Sequence, residues 1–316
     1  MRICSPALQG AAQILVTGAN GQLGRRVLQR LAHAQPPRRA RAVVRSERAA
    51  KIVRASAGAS AELRIASGLD AEALSVAATG CDAAVHLAGI LKETRANRYE
   101  DAHERPARAL ADAAAKAGLR RIVSVSILGS RPDSSHRALA SKGRADEILL
   151  SGTVPALVLR VPMVLGPGDP ASEALRRQAL AGHVSLVRGG ATLEQPIAAA
   201  DVVEAIAAAL ARPEPLRGAV DLAGPESLTH RELVLRAARV LGRDVRVRSI
   251  PYALAFGFAW LAERLLANPP LTPAMLGVLE HDDAIDPADA CRRLGISLTP
   301  LDETLRRALL AAEEIR

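Results

Sequence analysis

Residues 14–31 read ILVTGANGQLGRRVLQRL, and no other stretch restricts the fold of this chain as tightly. An apolar run ends at Thr17, glycines follow at 18, 21 and 24, and an amphipathic pattern then carries Leu23, Val27, Leu28 and Leu31. A strand must therefore turn sharply into a helix. Glycine permits the turn and lets backbone approach an anion closely, while the helix N-terminus offers unpaired N–H groups and the positive end of a dipole. Gly24 also lets the helix pack tightly on the strand layer, and Asn20, Gln22 and Leu23 complete the loop. Three glycines at this spacing mean little alone. Between a first strand and a first helix, ahead of further strand–helix repeats, they point to the pyrophosphate of a dinucleotide.

Those repeats follow. Strand candidates are ILVT (14–17), RAVVR (41–45), AELRIA (61–66), DAAVHLA (82–88), RIVSVS (121–126) and ALVLRV (156–161). Helical patterns lie between them near 23–34, 70–78, 98–117 and 141–151. The strands are nearly all apolar rather than alternating, as expected when both faces of a parallel sheet are covered. The fold class is therefore α/β, a doubly wound parallel (Rossmann) sheet. After Val161 the pattern breaks at PMVLGPGDP, a loop leaving the sheet. A helix near 171–181, an irregular stretch, a helix over 201–211 with Asp201 as its cap, and a strand over 218–224 come next. Thr229 and Glu232 form a capping-box start for a helix that stops at Gly242. VRVRSI, a further apolar helix and a helical tail close the chain. This divides it into a dinucleotide-binding domain over 12–165, to which the chain returns at about 194–223, and a smaller α-rich lobe from 166–193 and 224–316.

The tip of the second strand bears on which dinucleotide is held. A carboxylate there would accept hydrogen bonds from a ribose diol, whereas a basic group would pair with a 2′-phosphate. The chain reads AVVRSERAAK, with Arg45, Ser46 and Arg48 and no carboxylate at the tip. NADP(H) is favoured, with NAD(H) as the alternative. The net charge of +9 comes from arginines spread along the chain rather than from a basic block. No basic stretch is interleaved with stacking aromatics, which argues against nucleic acid as a partner. Cys4, Cys81 and Cys291 lie far apart, with no CxxC and no metal-ligand cluster, which fits a reducing cytoplasm. There is no signal-peptide pattern at the N-terminus and no apolar window long enough to span a bilayer, so the expected location is cytoplasmic or peripheral at the inner membrane.

The glycine loop, VHLAG at the fourth strand and a lysine after the fifth together resemble the short-chain dehydrogenase/reductase family, in its extended and atypical branch with the nucleotide-sugar epimerases. The segment from Ala84 to Gly129, with LRVPMVLGPGD, QPIAAADVVEAI and DLAGPESLTHRELV, is most similar to the group around the NAD(P)H-binding accessory subunit of respiratory complex I and its bacterial relatives. The resemblance covers nearly the whole chain. It implies a cofactor lying across the small Ala88–Gly89 turn, and chemistry centred on a Tyr-x-x-x-Lys pair one helical turn apart. The lysine would bond the nicotinamide ribose and depress the tyrosine pKa, so that the phenol could exchange a proton with substrate. Lys142, one of only four lysines, takes the lysine position in ALASK; four residues earlier stands Ala138. Ser126 is the candidate for the assisting hydroxyl, or else it bonds local backbone. The adenine-contacting acid of the family falls at Ser67, with Asp70 opening the next helix. His86 reads as a buried core imidazole, His136 as an exposed loop residue and Tyr99 as packing beside the long helix.

With no phenol at 138, two readings stand. One is a dinucleotide-binding protein with weak or no turnover, structural or redox-sensing like the complex I accessory subunits. The other is an NADP-dependent oxidoreductase or epimerase-like enzyme using Lys142 without the usual tyrosine. Four of the five aromatic residues crowd into PYALAFGFAWLAERLL (251–266), with Tyr252, Phe256 and Trp260 on one helical face. The plain reading is core packing. The alternatives are an apolar small-molecule pocket and a contact for a protein, such as a membrane-associated respiratory complex, or for a membrane surface.

Overall fold

Seven strands build the main sheet: β1 (Gln13–Thr17), β2 (Arg39–Val44), β3 (Ala61–Ile65), β4 (Ala83–His86), β5 (Arg121–Ile127), β6 (Ala156–Val161) and β7 (Gly218–Asp221). This computed structural model describes residues 12–36, 38–57, 61–66, 69–90, 93–94, 97–265 and 282–310. The strand order is β7-β6-β5-β4-β1-β2-β3. β1 pairs with β2 and β4, β2 with β3, and β4 with β5, all in parallel. The chain thus winds outward from β1 in one direction and from β4 in the other, and the reversal opens a crevice at the carboxyl ends of those two strands.

Helices α1 (Gln22–Ala32), α2 (Glu47–Ala57), α3 (Ala71–Ala78), α4 (Arg105–Ala117) and α5 (Arg137–Leu150) make the crossovers. Leu15, Leu74, Leu110, Ile122 and Leu149 form one core cluster that joins the sheet to α3, α4 and α5. Each such side chain contributes roughly 1.5–3 kcal/mol of burial. α4 ends where Gly118 turns left-handed at φ 69°, and Leu119 N–H closes on Ala114 O at 2.9 Å. α5 starts at Arg137, four residues earlier than the periodicity suggests, so Ala138 and Lys142 share one helix. α2 is an element that apolar periodicity alone does not pick out.

By its internal contacts the chain forms two units. The first is 1–160 with 202–220 and 294–296, and the second is 161–201 with 221–293 and 297–316. In the first, Arg121 donates to the carbonyls of Ala209 (2.9 Å), Arg212 (2.7 Å) and Pro213 (3.1 Å), closing the end of α7 (Ala199–Ala211). In the second, α6 (Pro170–Leu180) and α8 (His230–Val240) pack with helix Leu301–Leu310 through Leu175, Leu233, Val234 and Leu305. Thr229 and Glu232 form the expected capping box. Asp201 does not cap α7. It lies inside the first turn, where its carboxylate accepts from the N–H and hydroxyl of Thr299, both at 2.7 Å.

Candidate functional site

The glycine loop is built as its spacing requires. Gly18 has φ +70°, and a Cβ there would lie 2.6 Å from the carbonyl of Leu87, so the turn after β1 touches the turn after β4. Gly21 caps α1 with extended backbone, and its N–H bonds Gly18 O at 3.0 Å. Gly24 meets that same carbonyl from the first turn of α1; a Cβ would be 2.4 Å from it. Gly21 differs from both. A Cβ there has only Gly18 O within reach, at 3.2 Å, so the space outside Gly21 is open. Gln22 accepts from Arg25 at the start of α1.

That opening belongs to a cleft of about 540 Å³ in the first unit. It is lined by Gly18, Asn20 and Gly21 below β1, by Val43, Val44 and Arg45 below β2, and by Leu87, Ala88, Gly89 and Ile90 below β4. Leu69, Asp70, Asn97, Asp101 and Arg105 close the sides. Asp70 also caps α3, accepting from Ala73 N–H at 2.8 Å, as the sequence suggests. Ser67, at the family's adenine-contacting position, lies outside the described residues. The cleft thus has a floor of glycines, apolar walls and one strand-tip guanidinium, a lining that suits a dinucleotide.

At the β4 end the cleft reaches Gly89, and behind it lie Lys142 and His103. A Cβ on Gly89 would be 3.3 Å from Lys142 Nζ and 3.4 Å from His103 Nε2. Lys142 is buried, and its ammonium donates to Val125 O at 3.2 Å. Burial lowers its pKa, and Asp146, one turn further along α5, works against that shift. Asp146 is itself buried and receives Arg160 Nε at 3.1 Å; burial raises its pKa, while Ser126 and Arg160 oppose the rise. Ser126 thus sits beside Asp146 rather than in the lining of the cleft. A lysine held out of water costs stability, and here the Val125 carbonyl and the Asp146 charge offset part of that cost.

α5 is pinned at its start. Glu104 accepts from Ser141 Oγ at 2.8 Å and from Arg144 at 2.8 and 3.0 Å, and Arg137 pairs with Glu93 at 2.9 Å. Glu104 ends a π-type turn, Glu100–Glu104, which enters α4. Such turns concentrate at functional sites. The turn points His103 inward, a residue that sequence reasoning missed. Its Nε2 lies 3.1 Å from both N–H and carbonyl of Ile90, and Nδ1 has no partner among the described residues. Tyr99 stacks on the imidazole with ring centroids 5.5 Å apart. The available signal was spacing: His103, Ala107 and Leu110 follow i, i+4, i+7, the inward face of α4.

Both core histidines stay neutral. Burial, then the charge of Lys142, lowers His103 to about 4 and His86 to about 3. His86 Nδ1 meets Thr17 Oγ1 at 2.8 Å, the partner expected for a buried imidazole. Because both folded-state values lie below the ordinary 6.5, the folded protein binds fewer protons than the unfolded chain in acid. Their stability contribution is complete above pH 6.5 and is lost as pH falls toward 4. The expected loss approaches about 3 kcal/mol per pH unit for two imidazoles. Urea unfolding midpoints measured from pH 7 down to 4.5 test this, with His103→Asn expected to halve the slope. A flat profile would contradict the buried neutral pair.

As the sequence shows, no phenol stands one turn before Lys142. Ala138 is buried one turn before Lys142, with nothing to titrate. His136 caps α5 by position only, without a side-chain hydrogen bond.

A family profile described as NAD(P)H-binding matches residues 18–213. Two relatives are similar at equal identity. "NADH dehydrogenase [ubiquinone] 1 alpha subcomplex subunit 9, mitochondrial" of Arabidopsis thaliana is 29% identical over 196 residues, covering 60% of this chain. The match spans 48% of that plant protein, about half its length. "Ceramide reductase" of Caulobacter vibrioides is 29% identical over 242 residues, 75% of this chain and 73% of the relative. Among solved structures, UDP-glucuronic acid 4-epimerase from Bacillus cereus in complex with UDP-glucuronic acid and NAD aligns with TM-score 0.74. It is 16% identical, over 96% of this chain and 100% of that one, a likeness of fold.

Proposed function

This chain belongs to the NAD(P)H-binding family, and from that premise we propose that it holds a nicotinamide dinucleotide in the cleft below β1, β2 and β4 with weak or no turnover. Its role is then structural or redox-sensing, in the manner of a complex I accessory subunit, in the cytoplasm or at the inner-membrane surface. The observation that carries this reading is the buried Lys142 with Ala138, not a phenol, one turn before it. The open space outside Gly21 fits a pyrophosphate, whose charge the α1 N-terminus would stabilise. Ala88 and Gly89 leave room for the ring end, and Lys142 would exchange its bond to Val125 O for one to the nicotinamide ribose. When bound, the dinucleotide would supply or accept a hydride. At position 138 the chain carries alanine in place of the phenol that, in the family's pattern, moves the accompanying proton.

Arg45, exposed at the end of β2, lines the cleft where a 2′-phosphate would sit, and Arg48 is exposed three residues on. A charge-assisted pair of this kind is worth about 1.5–3 kcal/mol, so NADPH should bind about tenfold or more tightly than NADH. Calorimetric titration of both, on the parent and on Arg45→Ala, checks the assignment. The preference should fade in the variant. Equal affinities in the parent, or tighter NADH, would overturn it.

A second reading is favoured by the similarity to a protein named ceramide reductase and by His103 beside Lys142. Here the chain reduces an apolar carbonyl compound, with a group other than tyrosine completing proton transfer. Sustained, substrate-dependent loss of NADPH absorbance would establish this reading over the first.

A further inference from the structure

Helix α9 (Tyr252–Leu265) presents apolar surface to solvent almost throughout. Leu254 is 66% exposed, Phe258 59% and Leu265 72%, with Phe256, Trp260 and Leu261 also exposed. The sequence expectation of core packing for Phe256 and Trp260 is therefore corrected. What α9 buries is Ala255, Ala259 and Ala262, a narrow stripe of small side chains at i, i+4, i+7. Leu254, Phe258, Leu261 and Leu265 form one flank of that stripe, and Phe256 and Trp260 the other. An apolar surface this continuous is unusual on a lone soluble protein and marks a contact.

The surroundings of α9 say which contact. Arg264 lies 4.1 Å over the Trp260 ring and Arg188 lies 5.0 Å over Tyr252, one guanidinium toward each end of the helix. Strand Arg246–Ile250 leads into α9 through Pro251. Arg246 and Arg248 are exposed and alternate onto the same side of that strand as Ile250, which packs against the buried alanine stripe. Asp244 precedes the pair, and from Ser249 to Ala262 the sequence has no charged residue. A helix of this length extends about 21 Å, short of the roughly 30 Å of a bilayer's hydrocarbon. No helix among the described residues is long and apolar enough to cross a membrane. Aromatic and aliphatic side chains with Arg246 and Arg248 before them and Arg264, next to Glu263, at the far end suit the boundary between acyl chains and phosphates.

We propose that α9 docks this protein on an anionic lipid surface, with Leu254, Phe258, Leu261 and Trp260 in the acyl boundary and Arg246, Arg248 and Arg264 at the lipid phosphates. The inference is independent of the cofactor reading, since every residue it uses lies in the second unit.

Trp260 is the sole tryptophan of the chain, so its emission reports this face alone. The full chain is mixed with vesicles of phosphatidylcholine, or of phosphatidylcholine with phosphatidylglycerol, and followed by tryptophan emission and co-sedimentation. The expected result is a blue shift and co-sedimentation with the phosphatidylglycerol vesicles, weakened by high salt. The double variant Leu254→Asp/Phe258→Asp should lose roughly tenfold or more of that binding while its unfolding curve stays unchanged. Three results would overturn the proposal. One is no shift with phosphatidylglycerol vesicles. Another is equal binding to pure phosphatidylcholine. The third is a concentration-dependent dimer that shifts the emission without lipid, which would assign the face to a second copy.

Discussion

Gly21→Val should give a folded protein that has lost dinucleotide binding by roughly hundredfold or more, about 2.7 kcal/mol. Gly21 is extended, at φ −69° and ψ 165°, a conformation that valine favours. Its Cβ would meet only Gly18 O, at 3.2 Å, so the fold should lose about 1 kcal/mol, chiefly from a poorer helix cap. The branched side chain would instead fill the open space outside the loop and cover the N–H groups at the start of α1. Gly18 and Gly24 cannot serve for this test. A Cβ at either would fall within 3 Å of backbone, and their variants should fail to fold. Circular dichroism with calorimetric titration of Gly21→Val separates the two effects. A folded variant that binds normally would place the cofactor elsewhere.

Ala138→Tyr should place a phenol one turn before Lys142 on α5. With dinucleotide bound, the Lys142 charge should draw the phenol pKa below the free value of about 10. Difference absorbance against the parent isolates the new group, because the two native tyrosines cancel. Tyr99 in any case titrates high, since burial raises it. Position 138 is buried, so the variant should also lose about 1–3 kcal/mol of stability to overpacking. Turnover is the weaker readout, as it also requires a matching substrate. Because burial alone raises a phenol, the reference is Ala138→Tyr/Lys142→Met: a phenol pKa no lower with Lys142 than without it would show that Lys142 does not face position 138 as proposed.

Most of the sheet was legible in the sequence because its strands are continuous apolar runs punctuated by glycine. ILVT and DAAVHLA leave no other reading once both faces must be covered. α2 was not legible. Among the described side chains of ERAAKIVRASA, Ala49, Ala50 and Val53 are the buried ones, set among exposed charges, too small a face for periodicity to detect. Asp201 looked like a helix cap because the partner that claims its carboxylate, Thr299, lies 98 residues away in the chain. The aromatic stripe misled for a related reason. Spacing shows which side chains share a face but not which face is turned inward, and in α9 the alanines are inward. Around the cleft, the glycine loop and Arg45, which line it, and Lys142, which lies behind Gly89, were readable as candidates from local pattern. His103 was not singled out, because its place beside Lys142 depends on a π-type turn and on the docking of Glu104 against Ser141 and Arg144.

A crystal structure of the protein with NADPH tests the site most directly. Pyrophosphate oxygens should lie against the loop at Gly21 and the start of α1, and the 2′-phosphate on Arg45. Lys142 Nζ should lie within hydrogen-bonding distance of the nicotinamide ribose, with Ala138 leaving the ring without a phenol partner. A dinucleotide bound away from Gly21, or a Lys142 still bonded only to Val125 O and remote from the ribose, would contradict this placement.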